Sequence, residues 1–172
     1  MKLGRPLPFH QVTITDPFWS RWQDVAAGPG LKGQWQEMIA TGRLENFRRV
    51  IRGEEGTHEG LLFNDSDVYK WLEGACYALA LRDDSELRAM VDEAVELISK
   101  AQDQDGYINT FYQLKSKANH YWSDEGSPVE NSRWSRLASD HEMYCMGHLI
   151  EASVAHKQSL HSDELLEVGL KA

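Results

Sequence analysis

The stretch DHEMYCMGHLIEA, Asp140 to Ala152, sets two histidines, a cysteine and two glutamates within residues otherwise spaced like an apolar helix. A helix turns roughly 100° per residue, so His141, Cys145 and His148, at i, i+4 and i+7, fall within about 60° of one another. Imidazole, thiolate and imidazole are zinc ligands, and Glu142 or a distant acid could complete the set. A thiolate beside an imidazole is also nucleophilic, so a Cys145–histidine pair is a candidate for covalent catalysis. Plainer roles compete with both: His141 as a cavity-facing hydrogen-bonder, Cys145 as packing between Met143 and Met146, and His148 as a satisfied core histidine. Tyr144, Ala152 and Ala155 flank this polar stripe, while Met143, Met146, Ile150 and Val154 form a second stripe opposite. A surface helix needs one apolar stripe and a charged back. One face is therefore expected to pack on other helices and the other to look into an enclosed, partly polar space.

Two further segments carry polar groups at helix ends. FNDSDVYKWLE, Phe63 to Glu73, places Asp65 and Asp67 at a helix start, where carboxylates cap the free N–H groups and favour the dipole. One cap needs one acid, so a ligand contact by one of the pair stands beside the capping role. AQDQDGYINT, Ala101 to Thr110, closes a helix at the turn signal Asp105-Gly106. Its Gln102, Tyr107 and Asn109 are able to line a pocket mouth, and a plain helix stop is the alternative.

The elements that must position these groups read as helices. Residues 9–15, FHQVTIT, alternate like a short strand or extended arm that Asp16-Pro17 ends. Leu31 to about Ile51 reads as helix broken near Thr41-Gly42, and Gly53 to Gly60 as a loop. Asp65 or Ser66 caps a helix to about Leu81, and Ser85 caps the next, to about Gln102. Residues 103–138 read mostly as loop; helix resumes from Ala138 to Lys157, and another starts at Ser162 or Asp163. Shifting the chain by 78 residues aligns Leu72–Met90 with Ile150–Val168 without a gap, Glu73 meeting Glu151 and Glu86 meeting Glu164. That repeat predicts a duplicated helical hairpin of inner and outer helices, as in an α/α toroid. A compact five-helix domain is the alternative. The last helix, DELLEVGLKA, has no C-cap signal, so an incomplete toroid is expected.

Bulk properties narrow the class. A chain of 172 residues with 41% hydrophobic and 26% charged residues is globular in composition. A net charge of −9 without a basic run argues against nucleic-acid or anionic-membrane partners. No segment approaches the length of a membrane span and the opening is Pro-broken, so no membrane contact and a cytoplasmic setting are expected. Two cysteines, Cys76 and Cys145, form no disulfide framework. Six tryptophans and six tyrosines suit sugar platforms as well as a core.

Five motifs in order carry a resemblance: VTITDPFW (Val12–Trp19), TGRLENF (Thr41–Phe47), FNDSDVYKWLE, AQDQDGYINT and HEMYCMGHLIEA. Together they resemble the N-terminal portion of glycoside hydrolase family 127, the β-L-arabinofuranosidase family once catalogued as a domain of unknown function. The resemblance implies an all-α chain of helical hairpins forming part of an (α/α)6 barrel, with residues 1–172 as the N-terminal part of the catalytic domain behind a short extended arm. It implies a retaining hydrolase of terminal β-L-arabinofuranosides, with a zinc-held cysteine thiolate as nucleophile and a glutamate as acid/base. Those residues belong to a later part of such enzymes. No Cys-Cys pair occurs here, so no catalytic or metal role passes to Cys76 or Cys145.

What the motifs carry forward is sugar contact: His141 as a hydrogen-bonder to the sugar, with Phe63, Asp65 and Asp67 as part of the same subsite wall. The expectation is thus a fragment that forms one wall of a sugar cavity and is inactive alone. It should hold no cofactor of its own, zinc being expected in a full-length relative. A carbohydrate is the expected substrate, and self-association or a missing C-terminal half the expected partner. A non-catalytic carbohydrate-binding or interaction module, or part of another α/α-toroid sugar enzyme, is the alternative.

Overall fold

The computed structural model describes residue 4, residues 7–115 and residues 132–172. Residues 116–131 of the loop expected at 103–138 therefore lie outside the described residues, as do residues 1–3, 5 and 6 of the opening. All regular structure among the described residues is helical.

The N-terminal arm departs from the strand-like reading. Phe9–Gln11 form one 3-10 turn, and extended backbone follows at Val12. Asp16-Pro17 then starts a helix. The Asp16 carboxylate accepts from the backbone N–H groups of Phe18 and Trp19 at 2.9 Å. Pro17, which has no N–H to lose, occupies the first position of α1 (Pro17–Val25). A π-helical stretch, Ala26–Gly30, absorbs Pro29 and leads straight into α2 (Leu31–Ala40). The break expected at Thr41-Gly42 separates α2 from α3 (Arg43–Arg52).

The central elements are α4 (Asp65–Leu81) and α5 (Ser85–Ala101). Asp84 caps α5, one residue before the expected Ser85, by accepting from Glu86 N at 3.1 Å and Leu87 N at 3.0 Å. The chain then turns at Gly106, whose φ of 93° and closeness to the Lys171 carbonyl leave no room for a Cβ. A single turn, α6 (Thr110–Gln113), precedes α7 (Glu142–Leu160) and α8 (Glu164–Lys171).

The repeat is realised as two hairpins. The links between α4 and α5 and between α7 and α8 each span three residues. The first helices pack on one another more extensively than any other pair, and α5 touches α8. One continuous core runs between the layers, through Leu72, Ala75, Val91, Ile98, Leu149, Ala152 and Leu165. Trp35 and Trp71 stack at 4.7 Å to seat α2 on α4.

Of the two stripes expected on α7 to be shielded from solvent, only one is buried among the described residues. Cys145, Leu149, Ala152, Ser153, Ala155 and His156 form its buried side. The stripe Met143, Ile150 and Val154 is exposed, Met143 to 59%. The small residues Cys145, Ala152 and Ala155 allow close helix packing, which long Met and Ile side chains do not. Helical period alone does not say which stripe meets a neighbour.

Candidate functional site

The first turns of α4 and α7 lie near one another, and the singled-out side chains gather there with the loops before them. Phe63, just ahead of α4, is half-buried, and its ring lies 4.9 Å from the His141 ring at a 43° tilt. Its carbonyl accepts a long contact of 3.7 Å from Cys145 Sγ.

Asp65 does not cap its helix. It is the first residue of α4, 2% exposed, and its carboxylate accepts from Thr110 N at 2.7 Å and Thr110 Oγ1 at 2.5 Å. Burial raises its pKa to about 6, against the two Thr110 hydrogen bonds that favour the ionised form. Asp67, two residues on, points elsewhere: it pairs with Arg43 Nε at 3.1 Å and keeps 40% of its side chain exposed. Asp67 lines a cleft of about 520 Å3 between α2 and α4, with Thr41, Arg43, Lys70 and Trp71.

His141 occupies the N-cap position of α7 with φ 60°, a left-handed conformation unusual outside glycine. Two carboxylates flank it in sequence and both are buried. Asp140 receives Tyr112 OH and, at 2.7 Å, Ser139 Oγ. Glu142 receives Tyr107 OH at 2.5 Å and Trp134 N at 2.8 Å. His141 Nδ1 lies 2.6 Å from the Ser139 carbonyl, which only accepts, so Nδ1 carries the proton and Nε2 of the neutral ring is the acceptor. The imidazole is exposed, edge-on to the Tyr144 ring at 5.7 Å. Lys70 Nζ donates to Tyr144 OH at 2.5 Å and to Ser66 Oγ at 3.2 Å. A chain of contacts thus links His141, through Tyr144 and Lys70, to the cleft of Asp67.

Three of the four candidate contact residues therefore have exposed or half-exposed side chains at this end of the helices, while Asp65 is committed to Thr110. The residues of AQDQDGYINT are tied down. Gln102 Nε2 donates to Gly106 O and Val168 O, and Asn109 caps α6 by accepting from Tyr112 N. Tyr112, Asp140 and Trp134 were not singled out from sequence. Their partners lie 8 to 28 residues away, and no local pattern marks such pairings.

The helical metal spacing does not converge. His148 Nδ1 faces Glu151 Oε2 at 3.0 Å, His141 Nδ1 faces a carbonyl, and Cys145 is buried against Phe63. Burial pushes the Cys145 thiol well above the usual cysteine range and the Cys76 thiol up to about 12. Neutral thiols are poor nucleophiles and poor ligands. Among the described residues, no three His, Cys, Asp or Glu side chains gather to hold a metal ion. The donor set does not fit zinc.

Residues 11–172 match the family described as beta-L-arabinofuranosidase, GH127 catalytic domain. The chain belongs to glycoside hydrolase family 127. It is 40% identical, over 93% of its length, to a non-reducing end beta-L-arabinofuranosidase of Bifidobacterium longum subsp. longum, and covers 26% of that protein. Among solved structures it resembles a GH127 beta-L-arabinofuranosidase from Geobacillus stearothermophilus T6, with TM-score 0.80 and 35% identity over 93% of this chain and 24% of that one. A second GH127 beta-arabinofuranosidase matches with TM-score 0.85 and 32% identity, over 96% of this chain and 26% of that one. The chain thus spans about a quarter of the length of these GH127 relatives. Its paired hairpins are an arc of a helical toroid. No helix among the described residues is long and apolar enough to cross a membrane.

Proposed function

We propose that this chain forms one wall of the sugar cavity of a retaining β-L-arabinofuranosidase and that His141 hydrogen-bonds the terminal sugar. The observation that carries this reading is the His141 ring itself. It is exposed at a helix N-terminus in a left-handed conformation, with its backbone between two buried carboxylates and its Nδ1 fixed by the Ser139 carbonyl. Such a residue offers Nε2 to a hydroxyl in a preset direction, beside the apolar face of Phe63. Sugar pockets combine a few convergent polar groups with apolar surface in this way. Asp67 is a second contact from the adjoining cleft. Asp65, with both carboxylate oxygens on Thr110, acts by holding the loop rather than by touching sugar.

The nucleophile, acid/base and any zinc belong to a part of the enzyme outside these residues, and no reaction step is assigned to Cys76 or Cys145. The chain alone hydrolyses nothing. The apolar stripe on α7 is the face that further helices of the toroid cover, and a second copy of the chain is the rival occupant.

The experiment has two arms. Purified, zinc-treated chain is incubated with para-nitrophenyl β-L-arabinofuranoside, where no turnover is expected and measurable turnover overturns the claim of inactivity. Calorimetry with methyl β-L-arabinofuranoside is expected to give a saturable signal that His141→Ala removes. Equal binding by parent and His141→Ala overturns the assigned contact.

A further inference from the structure

Helix α1 is joined to the body by the π-helical stretch and by the ion pair of Asp24 with Arg82, and it buries none of its own residues. Its outward face carries Phe18, Trp22 and Val25 at i, i+4 and i+7, with Trp19 beside them. These four side chains are between 43% and 62% exposed. Aromatic side chains offer roughly 150–250 Å2 each, so several hundred Å2 of contiguous apolar surface lie open, the scale of an interaction site.

The stripe on α7 has the same spacing. Met143, Gly147 and Ile150 are also at i, i+4 and i+7, and Val154 follows. Gly147 is a notch between long side chains, where a Cβ would meet nothing within 4 Å. Glycine weakens a helix interior, and no neighbour within this chain uses the space it leaves. Helix α7 and the stretch leading from α1 into α2 both pack on α4 rather than on one another, so the two faces do not meet within one chain.

Set parallel, as in a two-stranded coiled coil, the two faces match layer by layer. Phe18 falls level with Met143, Trp22 with Gly147 and Val25 with Ile150, so a bulky ring meets the position that has no side chain. In that register Arg21 lies on the flank that faces Glu151, the g-to-e arrangement of ion pairs between parallel helices. Arg21 is exposed and makes no ion pair among the described residues. Glu151 is 60% exposed, with one oxygen on His148 Nδ1. Like faces fit less well: two α7 stripes would set one notch against another, and two α1 faces would crowd their Trp22 rings.

We propose that α1 of one copy docks on the α7 stripe of a second copy, with Trp22 seated at Gly147 and Arg21 paired with Glu151. The contact is heterologous, so every copy keeps one free face of each kind and association continues head to tail. It is independent of the sugar contact at His141.

Sedimentation of the full chain and its variants tests this. The parent is expected to give masses above one chain that keep rising with concentration. Ile150→Glu spoils one face and Trp22→Glu the other, and each variant alone should be a monomer. Both positions are exposed, and circular dichroism confirms that the helices are kept. An equimolar mixture should form a one-to-one pair and nothing larger, because the intact α1 of one variant meets the intact α7 of the other. Gly147→Ala should unfold at a higher temperature than the parent and yet associate at least about tenfold more weakly, the notch being filled. A monomeric parent overturns the proposal. So does either Glu variant that associates as the parent does, since the contact would then use one kind of face only. A mixture of the two that stays monomeric, or a Gly147→Ala chain that associates as tightly as the parent, overturns it as well.

Discussion

Tyr107 donates its phenolic hydrogen to Glu142 across 2.5 Å, between two buried side chains 35 residues apart in sequence. This bond ties the turn after α5 to the first residue of α7, directly beside His141. Burial first, then the Glu142 contact, drives the Tyr107 pKa far above the usual phenol range, so the hydroxyl stays a donor. Tyr107→Phe leaves Glu142 Oε1 without that donor and only the Trp134 N–H on its other oxygen. The expected loss is about 1–3 kcal/mol, the penalty for stranding a buried acceptor. Urea unfolding checks it, and a midpoint equal to the parent's would mean the carboxylate is solvated.

Asp65 and His58 make opposite demands as the pH falls. Burial, then the Arg49 guanidinium, lowers the His58 pKa from 6.5 to about 4. Between those values the unfolded chain binds more protons, so the His58 contribution is complete above pH 6.5 and is lost on acidification toward pH 4. His156, also lowered by burial, acts in the same direction. Asp65, raised from 3.8 to about 6, binds its proton first in the folded chain. Its destabilisation is complete above pH 6 and is relieved as the pH falls toward 3.8. Asp65→Asn deletes the relief, so its urea midpoint should fall more steeply than the parent's from pH 7 to 4.5. His58→Gln should give a shallower curve than the parent. Parallel curves for all three proteins would refute the assignment.

The helices of the paired hairpins are legible in the sequence; α1 and the His141 setting are not. The extents of α4 and α5 follow from periodic Leu, Val and Ile, and α5 has in addition an acidic cap at Asp84; these are local signals. Helix α1 carries Phe18, Trp22 and Val25 at helical spacing but buries none of them, and Asp16-Pro17 has the same composition whether it ends an arm or starts a helix. The left-handed His141 depends on Tyr107 and Tyr112, whose contacts with Glu142 and Asp140 arise only after the chain folds back. Asp65 and Asp67 looked equivalent because they share a helix turn. Thr110 and Arg43, from other segments, separate them.

Gly169 lies inside α8, where helix propensity favours alanine by about 1 kcal/mol. The packing reverses that preference. A Cβ at Gly169 meets Ser153 Oγ at 2.6 Å and Ser153 Cβ at 3.0 Å, on the face where α8 crosses α7. Ser153 is held there by its own bond to Leu149 O at 2.7 Å. Gly169→Ala should therefore destabilise the chain by about 1–3 kcal/mol, the usual penalty for overpacking. Thermal unfolding followed by circular dichroism measures it, and a raised melting temperature would mean that α8 moves aside freely.

The open stripe on α7 makes a prediction about association. Met143, Ile150 and Val154 sit at i, i+7 and i+11, one face of the helix, and keep 59%, 47% and 39% of their surface exposed. Each large apolar side chain that becomes buried contributes about 1.5–3 kcal/mol, so covering the stripe is strongly favourable. Without further helices of the toroid, the face available to it is that of another copy. Light scattering at rising concentration should show a mass above the 19.6 kDa of one chain. Ile150→Glu places a charge in the middle of the stripe and should return the chain to a monomer. Helix content should not change, because Ile150 lies outside the core. A parent that stays monomeric throughout, with cooperative unfolding, would show that the stripe tolerates water and does not drive association.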